Sequence, residues 1–138
     1  MFYVFPVTTP ANIPEASKQK TILPLAQGKI TQVQVHFPSG HIGLTHIGVN
    51  RGLHQFLPTN AEAMFSSSGE TITIAEDFPL DTAPYQLEAY TWNEDATYPH
   101  TITVRVQLEA LPEQRSLVDE IKALLGLGQE AASAWRLP

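Results

Sequence analysis

Residues 100–110 read HTITVRVQLEA and residues 84–92 read PYQLEAYTW, and the side-chain alternation within them decides the fold. In the first, Ile102, Val104, Val106 and Leu108 face one way, and Thr101, Thr103, Arg105 and Gln107 the other. That period of two is what a half-buried strand imposes. In the second, Tyr85, Leu87 and Ala89 share one face, and Tyr90 and Trp92 the other. Upstream, KITQVQVHF (29–37) sets Val33, Val35 and Phe37 against Gln32, Gln34 and His36, and GETITI (69–74) alternates through Ile72 and Ile74. FPSGHIG (37–43) turns at Pro38 and Gly40, LTHIGVN (44–50) returns, and Arg51-Gly52 breaks the run before LHQFLP (53–58). Short strands with close turn signals specify an all-β chain. The expected fold is an antiparallel β-sandwich, jelly-roll-like or barrel-like, and not a parallel α/β sheet.

Three segments follow from this pattern. Residues 28–110 form the β-sandwich domain. Residues 1–27, with Pro6, Pro10, Pro14 and Pro24 between short apolar runs, read as an extended N-terminal arm with edge strands at Phe2–Val7 and near Thr21–Leu25. Its first twenty residues are expected to be dispensable for folding. Residues 111–138 read as a C-terminal helix and tail. Pro112 and Glu113 suit the helix start and Gly126 its end. Leu117, Ile121, Leu124 and Leu125 fall on one face, and Trp135 lies in the tail. A helix this short needs a surface to cover its stripe. Phe2, Tyr3, Phe5, Leu117, Ile121, Leu124 and Trp135 are therefore the candidate partner-binding residues.

The totals exclude several classes. A chain of 138 residues is one domain by length, long enough to bury a core without metal or disulfide. Net charge is -6 and the eight Lys and Arg are scattered, so no basic patch follows a phosphate backbone, and nucleic acid is not an expected partner. Absence of cysteine removes thiol catalysis, disulfides and thiolate zinc sites. MFYVFPVTTP (1–10) has no basic start and its apolar run is short, so neither a signal peptide nor a membrane association is expected. Charged residues make up 16% against a usual roughly 25%, which suits a surface covered by partners.

The densest chemistry lies in WNEDATYPHT (92–101). Glu94 and Asp95 are adjacent, so their side chains point apart, poor geometry for a paired acid and base. Calcium-loop spacing is missing. The bland reading is a turn in which Asn93 and Asp95 bond their own backbone. His36, His41 and His46 are five apart, and a hairpin centred near Gly40 would bring His36 close to His46. A zinc site would still need a ligand such as His54 or His100. The commoner role for such residues is hydrogen bonding at strand ends, and no metal is expected. FSSSGE (65–70) lacks the nucleophile elbow, and no phosphate or dinucleotide loop is present. No catalytic residue and no cofactor is expected. Tyr90, Trp92 and Tyr98 are candidates for glycan stacking, with ordinary packing as the alternative.

FPSGHIGLTHIGVNRGLHQFLPTN (37–60) and PYQLEAYTWNEDATYPHTITVRV (84–106) resemble small proteins encoded beside the head genes of tailed bacteriophages. The resemblance covers approximately residues 30–108. It is carried by Phe37-Pro38-x-Gly40, Gly43-Leu44, Arg51-Gly52-x-His54-Gln55 with Pro58, and Trp92-Asn93 through Tyr98-Pro99-His100-Thr101. It implies a non-enzymatic virion structural protein, a head decoration or cement protein bridging major capsid protein subunits. Such a protein would be a homotrimer on the capsid surface, soluble in the host cytoplasm before assembly. Two rivals are a glycan- or host-binding module on the virion surface or tail, and a cupin-like metal enzyme.

Overall fold

The computed structural model describes residues 1–111 together with Ile121 and Leu124. Eight strands follow one another: β1 (Phe2–Thr9), β2 (Gln19–Pro24), β3 (Gly28–Phe37), β4 (Thr45–Arg51), β5 (His54–Leu57), β6 (Glu70–Leu80), β7 (Gln86–Asn93) and β8 (His100–Glu109). A 3-10 turn at Glu15–Ser17 lies between β1 and β2. Sheet I has the order β1-β8-β3-β6 and sheet II the order β2-β7-β4-β5, and all pairings are antiparallel.

The pairs β1–β8, β2–β7, β3–β6 and β4–β5 are successive levels of one folded hairpin, sent alternately to the two sheets. Contacts β8–β3 and β7–β4 join the levels within each sheet. This is the eight-stranded jelly roll. The sandwich expected from the sequence is present, in its jelly-roll-like and not its barrel-like form, because each sheet ends in two edge strands and neither closes into a barrel.

Alternation fills the core as the sequence requires. Ile102, Val104, Val106 and Leu108 of β8 and Val33, Val35 and Phe37 of β3 face Ile47 and Val49 of β4 and Leu87 and Ala89 of β7, all fully buried. Ile30 is also buried although it stands three residues before Val33. A register shift between Ile30 and Gln32, against both β6 and β8, accounts for this: one extra residue in the bulge restores Ile30 to the inner face. One end of the core is polar. Thr9 of sheet I donates to Thr91 of sheet II at 2.7 Å, joining the sheets where Thr45 and Asn93 are buried nearby.

Residues 1–27 depart from the arm expectation. Both strands expected there are present, but they close the sandwich and do not reach away from it. Every residue of β1 is in register with β8, from Phe2↔Gln107 to Thr9↔His100. Val7 and Thr9 are buried, and Tyr3 and Phe5 pack on the core with their rings stacked at 6.1 Å. Leu23 of β2 is fully buried in the same core. Pro6 and Pro24 are tolerated because both strands are edges, where a missing N–H need not meet a second neighbour. The two strands of this segment are thus part of the sandwich. The expected helix and tail lie outside the described residues, Leu117 and Trp135 included, apart from Ile121 and Leu124, both exposed. Among the described residues no helix is long and apolar enough to cross a membrane.

These placements rank substitutions. Phe37→Ala should lower unfolding free energy by about 3–5 kcal/mol, whereas Thr103→Ala, on the outer face of β8, should stay within about 0.5 kcal/mol. Deleting residues 1–9 should abolish cooperative unfolding. Urea titration followed by tryptophan fluorescence measures all three.

Candidate functional site

The loop 92–101 is built around one amide. Asn93 is 1% exposed, and its Nδ2 donates to the carbonyls of Tyr98 (3.0 Å) and Pro10 (3.2 Å). Its Oδ1 accepts from Asp95 N at 3.0 Å and from Thr45 Oγ1 at 3.4 Å. Its backbone exchanges two hydrogen bonds with Ile13. Asn93 therefore ties the β1–β2 and β7–β8 connections to β4. Asp95 Oδ1 accepts from Thr97 N (2.9 Å) and Tyr98 N (3.1 Å), and its Oδ2 pairs with His100 Nε2 at 2.9 Å. The Thr97 amide, the His100 side chain and the Tyr98 amide hold its carboxyl below the usual carboxylate range. Glu94 points elsewhere, to His46 Nε2 at 2.6 Å. Adjacent carboxylates pointing apart are what the sequence leads one to expect.

The histidines do not converge as a β3–β4 hairpin would bring them. β3 lies in sheet I and β4 in sheet II, so His36 and His46 occupy opposite outer faces. His36 Nδ1 is 2.8 Å from Thr71 Oγ1. His46 stacks on Trp92 with centroids 3.9 Å apart and planes 9° from parallel. His54 is exposed at the start of β5. His41 is buried, edge-on to Phe37, 4.4 Å from the His100 ring, and its Nδ1 has no hydrogen-bond partner. Burial first and the neighbouring His100 second lower its pKa, with His36 adding to them and the backbone of Thr101 opposing. Among the described residues no group of three or more His, Cys, Asp or Glu is arranged to hold a metal ion.

A second feature lies on the outer face of sheet II. Cross-strand rows there run Lys20–Tyr90–Gly48 and Ile22–Glu88–Asn50–Gln55. The 3-10 turn with Lys18 forms one wall and Glu62 and Met64 the other, over a floor of Tyr90, Gly48, Asn50 and Gln55. The groove encloses about 520 Å³. Gln55 holds the second wall. Its Nε2 lies 2.8, 3.1 and 2.9 Å from the carbonyls of Pro58, Asn60 and Ala63, and its Oε1 accepts from Glu62 N at 3.1 Å. Phe65 and Ile47 exchange two backbone bonds beside it. A Cβ on Gly48 would lie 2.9 Å from Met64 Sδ, so glycine is what lets the wall sit against the floor.

The three candidate stacking residues separate. Tyr90 lies in the groove. Trp92, on the same face, is covered by His46, and so packs on the outside of sheet II. Tyr98 is 65% exposed in the β7–β8 loop. Of the candidate partner-binding residues, Phe2 is exposed, and Val4 beside it joins it, whereas Tyr3 and Phe5 cover the protein's own core. No protein-family model matches the chain, and no curated protein sequence matches it.

Two outcomes follow. Asn93→Ala should cost about 2–4 kcal/mol in denaturant titrations, because several buried backbone groups lose their partner at once. For His41, the unfolded chain takes up a proton before the folded one does. Its contribution is therefore full above 6.5 and declines as pH falls from there toward the lowered folded value. Asp95 acts in a separate window: its contribution holds above 3.8 and is lost as pH falls through its depressed value. His41→Gln should flatten the first decline in urea midpoints and leave the second.

Proposed function

We propose that the protein is a non-enzymatic structural subunit of a tailed-phage virion. It would decorate or cement the head by bridging major capsid protein subunits, as a homotrimer on the capsid surface. The outer face of sheet I carries the reading. Three adjacent rows of it run Phe2–Gln107–Gln32–Ala75, Val4–Arg105–Gln34–Thr73 and Pro6–Thr103–His36–Thr71, beyond which Lys29, Glu109 and Asp77 gather at one end. Arg105 is the sole Lys, Arg, Asp or Glu in these rows, and Phe2 and Val4 are 53% and 55% exposed along the edge strand. Covering amides and hydroxyls costs less than covering charges. An apolar strip on an unpaired edge favours association and is normally guarded when it has no partner.

The reading also rests on the resemblance proposed for residues 30–108. Jelly-roll topology is compatible with it, though viral capsid proteins, lectins and cupins share that topology and the fold alone does not choose among them. The metal-enzyme rival has no specific observation in its favour.

Full-length protein carrying Phe2→Glu and Val4→Glu should remain folded, since both side chains already face water. Added to particles lacking the protein, it should show reduced occupancy and reduced heat resistance relative to the unaltered chain. Equal decoration and equal heat resistance would remove this face from the proposal.

A further inference from the structure

We infer that the groove over sheet II is a binding site for a neutral mono- or oligosaccharide, with Tyr90 as its stacking platform. The inference stands apart from the capsid reading, since it concerns the opposite sheet. Its volume, about 520 Å³, falls within the roughly 300–1,000 Å³ of small-molecule sites.

The platform comes first. Tyr90 and Trp92 share one face of β7, but the Trp92 ring is already occupied by His46 at 3.9 Å. Tyr90 has no ring partner among the described residues; its neighbour on β4 is Gly48, which carries no side chain, and its neighbour on β2 is Lys20. A sugar's C–H face needs an accessible ring of this kind, apolar in body and polar at the tip.

The rim supplies the rest. Among the described residues the side chains of Glu15, Lys18, Asn50 and Glu62 have no hydrogen-bond or ion-pair partner, although all line the same groove. Carboxylates only accept, an ammonium only donates, and the Asn50 amide does both. Hydroxyl groups donate and accept together, so a mixed rim fits a polyol. A cationic peptide would use the two carboxylates but meet Lys18 and the Asn50 amide hydrogens. Glu15 and Glu62 are balanced by Lys18 on the rim and Lys20 beside Tyr90, so no net charge selects an ionic ligand over a neutral one. Gln55, whose two Nε2 hydrogens are shared among three carbonyls and whose Oε1 accepts from Glu62 N, fixes one wall in advance, which lowers the ordering cost of binding.

The test is a titration of the ¹⁵N-labelled full-length protein with lactose, maltotriose and chitobiose, and separately with sialyllactose and trilysine. One or more neutral sugars should shift the amide resonances of Gly48, Asn50 and Tyr90, with sialyllactose weaker. Tyr90→Ala should weaken that binding by about ten-fold, while Tyr90→Phe retains most of it. Glu62→Gln, on the exposed wall, should weaken it and narrow the gap to sialyllactose. This variant carries the test should Tyr90→Ala fail to fold. Three results would overturn the inference: no neutral sugar moving those resonances at tens of millimolar, trilysine binding there more tightly than any sugar, or shifts gathering at Tyr98.

Discussion

Strand β8 enters sheet I between β1 and β3, and β7 enters sheet II between β2 and β4. Both central places are thus filled by the last strands of the sandwich, paired with some of the first. None of the inner rows is buried until these distant segments meet, since Ile102, Val104, Val106 and Leu108 on β8 complete the layer that Val7, Val33 and Val35 begin. Loop closure must precede the reward of burial, which makes folding of this topology slow and all-or-none in character. The same constraint explains the polar end of the core. Where β1, β4 and β7 come together, Thr9, Thr45, Thr91 and Asn93 bond one another or the adjoining loops. Connections from different parts of the chain are thereby anchored at one end of the sandwich.

The inner faces were legible in the sequence because burial on a strand follows a period of two that no partner has to specify. The bulge at Ile30 was not, since it shows only as a misfit between Ile30 and Val33. Pairing was harder. Reading β3 and β4 as a hairpin placed His36 beside His46, but a jelly roll sends β3 and β4 to different sheets. The first segment was misplaced for a related reason. Pro6 and Pro24 look like marks of an arm, yet proline is equally at home on an edge strand. Only the pairing with β8 shows that Phe2 and Val4 face out while Tyr3 and Phe5 face in. The groove was invisible because its walls, residues 15–18 and 62–64, carry no pattern of their own and meet Tyr90 only through the fold.

Two surfaces of different chemistry result. The face of sheet I gathers its charges at one end, where Lys29 meets Glu109 across β8 and pairs with Asp77, and elsewhere shows amides and hydroxyls edged by Phe2 and Val4, with Arg105 the one charge among them. The groove of sheet II keeps the side chains of Glu15, Lys18, Asn50 and Glu62 unpaired within the described residues, around the Tyr90 ring. The filled core between them separates the two, so a substitution in the groove need not disturb the outer face of sheet I.

Buried groups without partners show where the fold tolerates a cost. Thr31 Oγ1, His41 Nδ1 and Trp92 Nε1 are the three such atoms among the described residues, and each lost hydrogen bond costs about 1–3 kcal/mol. Thr31 stands in the bulge that returns Ile30 to the core. Trp92 gains the stack with His46, whose other side is held by Glu94. His41 fills the sandwich end between Phe37 and His100. A charge there would lie beside His100 and in the field of His36. A neutral ring with one idle nitrogen is the less costly occupant, because the idle nitrogen forfeits one hydrogen bond while a buried cation gives up hydration that the single Thr101 backbone contact does not replace.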